Sequence, residues 1–130
     1  MSYPLLPRLV ESGHLLKTNN VHSQAREERA LHALLSIRAP TFLQEYDALF
    51  RRVSLWLHGQ GYGLTNYQPH QVLAQVCTLF VPLAQVREMV RCRHNIKYEA
   101  LPATSVGTAT LHRLLECFSC VTDASITQLG

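Results

Sequence analysis

A chain of 130 residues, 47% apolar and only 16% charged, holds enough material for one hydrophobic core and is too apolar for a disordered tail or a charged coiled coil. Its formal charge of +3 excludes a strongly basic nucleic-acid coat and leaves room only for a local cationic patch. The longest apolar run, Val76 to Val86, is broken by Thr78, Pro82 and Gln85 and falls short of the ~20 residues that span a bilayer, so no membrane helix is expected.

Pro4 and Pro7 punctuate the start, and Pro7 suits the first turn of a short helix running to about Lys17 with Leu9, Val10, Leu15 and Leu16. Asn19-Asn20 reads as a turn. Ser23 is the expected N-cap of a helix from Gln24 to about Arg38, with Leu31, Leu34 and Leu35 as its apolar stripe and Glu27 and Glu28 in its first turn.

Pro40 ends that helix and fits the first turn of the next, in which Phe42, Tyr46, Leu49, Phe50, Val53, Trp56 and Leu57 repeat at the spacing of one buried face. Gly59, Gly61 and Gly63 stop it near His58 and build a loop through Gln68. Pro69 starts a helix carrying Val72, Leu73, Val76, Cys77, Leu79 and Phe80, which Pro82 kinks or splits before Leu83, Val86, Met89 and Val90 resume the helical period. A loop over residues 101–107 offers Thr104 or Ser105 as the cap of a last helix with Leu111, Leu114, Leu115, Phe118 and Val121.

No strand alternation or internal repeat is evident, so the expected fold is an all-α antiparallel bundle of about four principal helices plus a short N-terminal helix. The whole chain reads as one domain: residues 1–22 form the N-terminal helix and turn, 23–121 the bundle core, and 122–130 a fraying tail. The start, Met1-Ser2-Tyr3-Pro4, lacks a basic region followed by a continuous apolar stretch, and Cys77, Cys92, Cys117 and Cys120 sit in helical contexts that suit reduced thiols. A cytoplasmic protein is expected.

Polar chemistry concentrates in Arg91-Cys92-Arg93-His94-Asn95-Ile96-Lys97-Tyr98-Glu99. Arg91, Arg93 and Lys97 supply cations for an anionic ligand, Asn95 and Tyr98 supply neutral hydrogen bonds, and His94 serves as donor, acceptor or proton carrier. The competing account is a solvated helix end, because cations at a helix C-terminus are stabilised by ~0.3–1 kcal/mol without any ligand.

The order of a long amphipathic helix, a Gly-rich loop, a Pro-interrupted helix, Arg93-His94-Asn95-Ile96-Lys97-Tyr98, a polar loop and a closing helix resembles HEPN domains over roughly residues 31–121. The resemblance implies a helical bundle, related to the substrate-binding parts of nucleotidyltransferases, that often pairs as a homodimer with two motifs facing one cleft. Nuclease members of that family carry an arginine and, a few positions on, a histidine, with Arg93 and His94 standing as the start of such a motif here. Tyr98 occupies the expected histidine position, and a phenol with an ordinary pKa near 10 is a poor base at neutral pH. The resemblance therefore implies a catalytically inactive module that binds a nucleotide, RNA or a protein partner through the region from Arg93 to Tyr98. Two other readings remain open: a metal-independent RNase of a toxin–antitoxin or defence type using Arg93 and His94, and a purely structural adaptor.

The remaining motifs point to structure. Cys117-Phe118-Ser119-Cys120 has redox spacing but lies within an apolar helical pattern, and Cys92 with His94 or His112 with Glu116 offers too few ligands for zinc, so no metal or cofactor is expected. Glu45 and Asp47 point in different directions along their helix, and Trp56 reads as core. Gly59-Gln60-Gly61-Tyr62-Gly63 lacks the strand and the Lys-Ser/Thr of a phosphate loop.

Overall fold

A computed structural model describes residues 3–129, with side chains described to residue 119. The described residues are mostly helical: α1 (Leu5–Glu11), α2 (Val21–Leu35), α3 (Phe42–Gly59), α4 (Pro69–Cys77), α5 (Leu83–Glu99) and α6 (Ser105–Leu129), with strands β1 (Leu15–Lys17) and β2 (Tyr62–Leu64). The side chain of Cys120 and the tail from Thr122, for which fraying was expected, lie outside the described side chains. No helix among the described residues is long and apolar enough to cross a membrane.

α3 is the element around which the others pack, touching α2, α4, α5, α6 and β2. Its start is fixed by a capping box in which Thr41 Oγ1 accepts from the Gln44 backbone N–H at 3.2 Å and the Thr41 N–H donates to Gln44 Oε1 at 2.9 Å. Pro40 thus precedes the cap instead of entering the first turn. Leu49, Val53, Trp56 and Leu57 then sink into one core with Leu6, Leu9, Val72, Val76, Met89, Leu111 and Phe118. Each such side chain contributes about 1.5–3 kcal/mol of burial. Trp56 is only 3% exposed and meets the rings of Tyr3, Phe80 and Phe118 edge-on at 5.2, 5.9 and 5.9 Å. A smaller cluster of Leu31, Ala48 and Leu55 seats α2 on the opposite side of α3, where Arg51 Nη1 also meets Glu27 at 2.9 Å.

The N-terminal third departs from the sequence reading. α1 ends at Glu11 because Gly13 takes φ +82, and residues 15–17 leave the expected helix to pair antiparallel with β2, Leu15 opposite Leu64 and Lys17 opposite Tyr62. Gly61, at φ +91, turns the chain from α3 into β2, so the expected loop contains a strand. The fold is therefore helical with one short β-ribbon. α2 begins earlier than expected, since Asn20 Oδ1 accepts from the His22 and Ser23 N–H groups at 3.0 and 3.1 Å and displaces Ser23 as the cap; the helix ends at Leu35, short of Arg38.

Pro82 splits the Pro69–Tyr98 region into two helices. It serves as the extended residue before α5 (φ −61, ψ 145), while α4 ends at Cys77. Thr104 fulfils its expected role, its Oγ1 accepting from the Gly107 N–H at 3.1 Å at the start of α6.

Candidate anion site on one side of α5

α5 turns its core face inward through Val86, Met89 and Cys92, all buried. At 3.6 residues per turn, two polar stripes run alongside. Arg93 and Lys97 continue the stripe of Val86 and Val90 beyond the core, toward α3. Arg87, Arg91, His94 and Tyr98 follow a second stripe, about 100° away.

Arg93 and Lys97 share a cavity of about 300 Å³ with Leu43, Gln44, Tyr46, Asp47 and Phe50 from α3 and His70 from α4. The Arg93 guanidinium lies 5.3 Å from the centroid of the Tyr46 ring, a cation–π contact that holds it against α3. Neither Arg93 nor Lys97 is in an ion pair among the described residues. His70 packs on Phe50 with centroids 5.0 Å apart and on Tyr46 at 6.4 Å. Burial first, then the positive charges of Arg93 and Lys97, hold the His70 imidazole below its ordinary pKa, with Asp47 opposing. His70 is thus neutral at neutral pH. Tyr46 is 2% exposed, and burial pushes its phenol up to about 12, against the pull of Arg93. The cavity therefore combines two cations outside any ion pair among the described residues, a neutral imidazole, aromatic faces and one carboxylate.

Of the six residues expected to form one site, four divide between two surfaces, with Arg93 and Lys97 in this cavity, while Asn95 and Tyr98 line neither. Arg91 and His94 line a separate groove between α4 and α5, where Arg91 is paired with Glu88 at 2.8 Å. Tyr98 is 62% exposed, its ring tilted against that of His94 with centroids 4.9 Å apart and Lys97 Nζ 5.6 Å from its own centroid. It lines neither the Arg93 cavity nor the α4–α5 groove. The backbone carbonyl of Asn95 accepts from the Leu101 N–H at 3.1 Å, closing the end of α5. Arg93 and His94, sequence neighbours offered together as catalytic candidates, face different cavities because adjacent helical residues diverge by about 100°.

Sequence reasoning missed His70, which comes from another helix and carries no spacing signal relative to Arg93. It read Glu45 and Asp47 only as pointing in different directions; Asp47, though exposed, lines the cavity. Glu45 is half-buried and its Oε2 lies 2.7 Å from His112 Nε2, so His112 reaches across to α3 in place of its sequence neighbour Glu116. Cys92 is buried with its Sγ 3.3 Å from Thr104 Oγ1, tying α5 to the start of α6. Among the described residues no three His, Cys, Asp or Glu side chains gather as a metal set. Comparison with known proteins finds no matching family model, no similar curated protein and no similar solved structure.

Proposed function

We propose that the chain is a HEPN-like antiparallel helical bundle of the cytoplasm that binds the phosphate of a nucleotide or RNA between α3 and α5 without cleaving it. The observation that carries this reading is the pairing of Arg93 and Lys97, one turn apart and free of acidic partners among the described residues, in a cavity walled by Tyr46, Phe50 and His70. Two cations suit a phosphate monoanion or dianion, since Arg offers a planar fork of donors and Lys a compact charge. The aromatic wall suits a base, and stacking of this kind is worth about 1–3 kcal/mol per base. Asp47 at the rim suits a ribose hydroxyl as donor.

Cleavage is left out of the proposal because its two sequence candidates are separated: His94 lines the α4–α5 groove, away from Arg93, and the one phenol in the cavity, Tyr46, stays protonated with its pKa raised to about 12 and is almost fully buried. A homodimer belongs to the same proposal, favoured by Tyr98, Leu101 and Val106, which are 62%, 51% and 52% exposed around the α5–α6 turn.

The test is an amide NMR titration of the whole chain with mononucleotides and with short single-stranded RNA, EDTA present, followed by analysis of the RNA. Saturable shifts at Tyr46, His70, Arg93 and Lys97 with intact RNA support the reading. Cleaved RNA would convert the site into an active centre, and silence at all four residues would reject it.

A further inference from the structure

The second polar stripe of α5 faces a larger opening that the anion site does not use. α4 and α5, joined through the turn at Pro82, flank a groove of about 660 Å³. Its floor is apolar, formed by Ala74, Val86 and Val90, and Leu83 stands 49% exposed at its edge. One wall carries Gln71, Gln75 and Thr78, the other Arg87, Arg91 and His94. Both walls thus repeat at i, i+4, i+7, two rails about 10 Å long that match two turns of a third helix laid between them.

We infer that this groove docks an acidic amphipathic helix of a partner protein. Charge complementarity selects the occupant: every ionisable residue lining the groove is basic and none is acidic. Arg87 is exposed and in no ion pair among the described residues. Arg91 gives only its Nη2 to Glu88, at 3.0 Å, so the rest of its guanidinium still has donors to offer. The opposite wall is neutral amide and hydroxyl. The fitting partner therefore places leucine-like residues over Val86 and Val90, carboxylates on the α5 side, and uncharged polar groups toward α4. A nucleic acid is the poorer fit, because the floor offers it no aromatic platform. The groove is separate from the anion site, since the two share no lining residue.

The test uses the full chain and a labelled peptide of about 15 residues, roughly four helical turns, with leucines on one face and glutamates along one flank. A second peptide carries lysine at each glutamate position. The inference expects saturable binding of the acidic peptide, shifts confined to the amides of α4 and α5 that border the groove, and at least tenfold weaker binding of the lysine peptide. Arg87→Glu, at an exposed position that leaves folding intact, should weaken the acidic peptide about tenfold, whereas Arg93→Glu should not. Equal affinity for both peptides, no saturable binding, shifts outside the groove, binding of single-stranded RNA in the groove in preference to the peptide, or self-association that occupies the groove would each overturn it.

Discussion

Gly107 sits in the first turn of α6, against Cys92 of α5. A Cβ added there would fall well inside van der Waals contact of Cys92 Sγ and 3.3 Å from both Cys92 Cβ and Thr104 Oγ1. The Sγ atom has little freedom to retreat, because it lies 3.3 Å from Thr104 Oγ1 and accepts from the Thr104 N–H at 3.4 Å. Gly107→Ala therefore either rotates Cys92 out of these contacts or pushes α6 from α5. Overpacking of this kind costs about 1–3 kcal/mol, and the intrinsic helix preference for Ala returns at most about 1 kcal/mol. The net expectation is a loss of about 1–2 kcal/mol, which lowers Tm by roughly 4–8 °C in a domain of this size. Thermal unfolding followed by circular dichroism reads this directly. The same substitution in a Cys92→Ala background removes the clashing sulfur, so Ala at 107 should there be neutral or stabilising relative to Gly. A Gly107→Ala protein more stable than the parent, or a penalty unchanged in the Cys92→Ala background, would refute the packing argument.

Three further outcomes follow from particular groups. Because His70 has a lowered pKa in the folded chain, it gains a proton only as pH falls below the ordinary value of about 6.5, adding a third cation to the cavity; phosphate affinity measured by calorimetry should rise toward acid pH, and His70→Gln should flatten that profile. The same shift, and the one that burial imposes on His58, means that the unfolded chain binds more protons. The stability contributed by the two neutral imidazoles is fully present above pH ~6.5 and is lost as pH falls through their lowered values, a slope in urea-melt midpoints that His58→Gln and His70→Gln together should reduce. Thr41→Ala removes the capping box of α3 and should cost about 1 kcal/mol in the same melts, whereas Thr41→Ser should cost almost nothing.

The long helices were legible because their apolar residues recur at 3 and 4: Tyr46, Leu49, Val53, Trp56 and Leu57 are all buried as their spacing demands. The ribbon was not, since three residues in each strand are too few to display a period of two, and Leu15-Leu16 continues a helical pattern equally well. The cap of α2 was misplaced by three residues because Asn20 and Ser23 are both good caps, and only the backbone around Asn20 (φ −67, ψ 102) decides between them. At the site, the density of polar groups in residues 91–99 was visible, but its division into two stripes depends on helix phase and on which neighbours each stripe meets. Arg93 meets Tyr46 and His70 meets Phe50 only through tertiary packing, and no linear spacing encodes those contacts.

α5 presents its cations on two separate surfaces, and on the proposed function only the one with Arg93 and Lys97 takes phosphate. Fluorescence anisotropy of a short labelled single-stranded RNA against Arg93→Ala, Lys97→Ala and Arg87→Ala tests it most directly. Each charge-assisted contact is worth about 1.5–3 kcal/mol, so the first two variants should each bind at least about tenfold more weakly while Arg87→Ala binds like the parent. Equal loss in all three would mean that the RNA responds to net charge alone and would contradict the account.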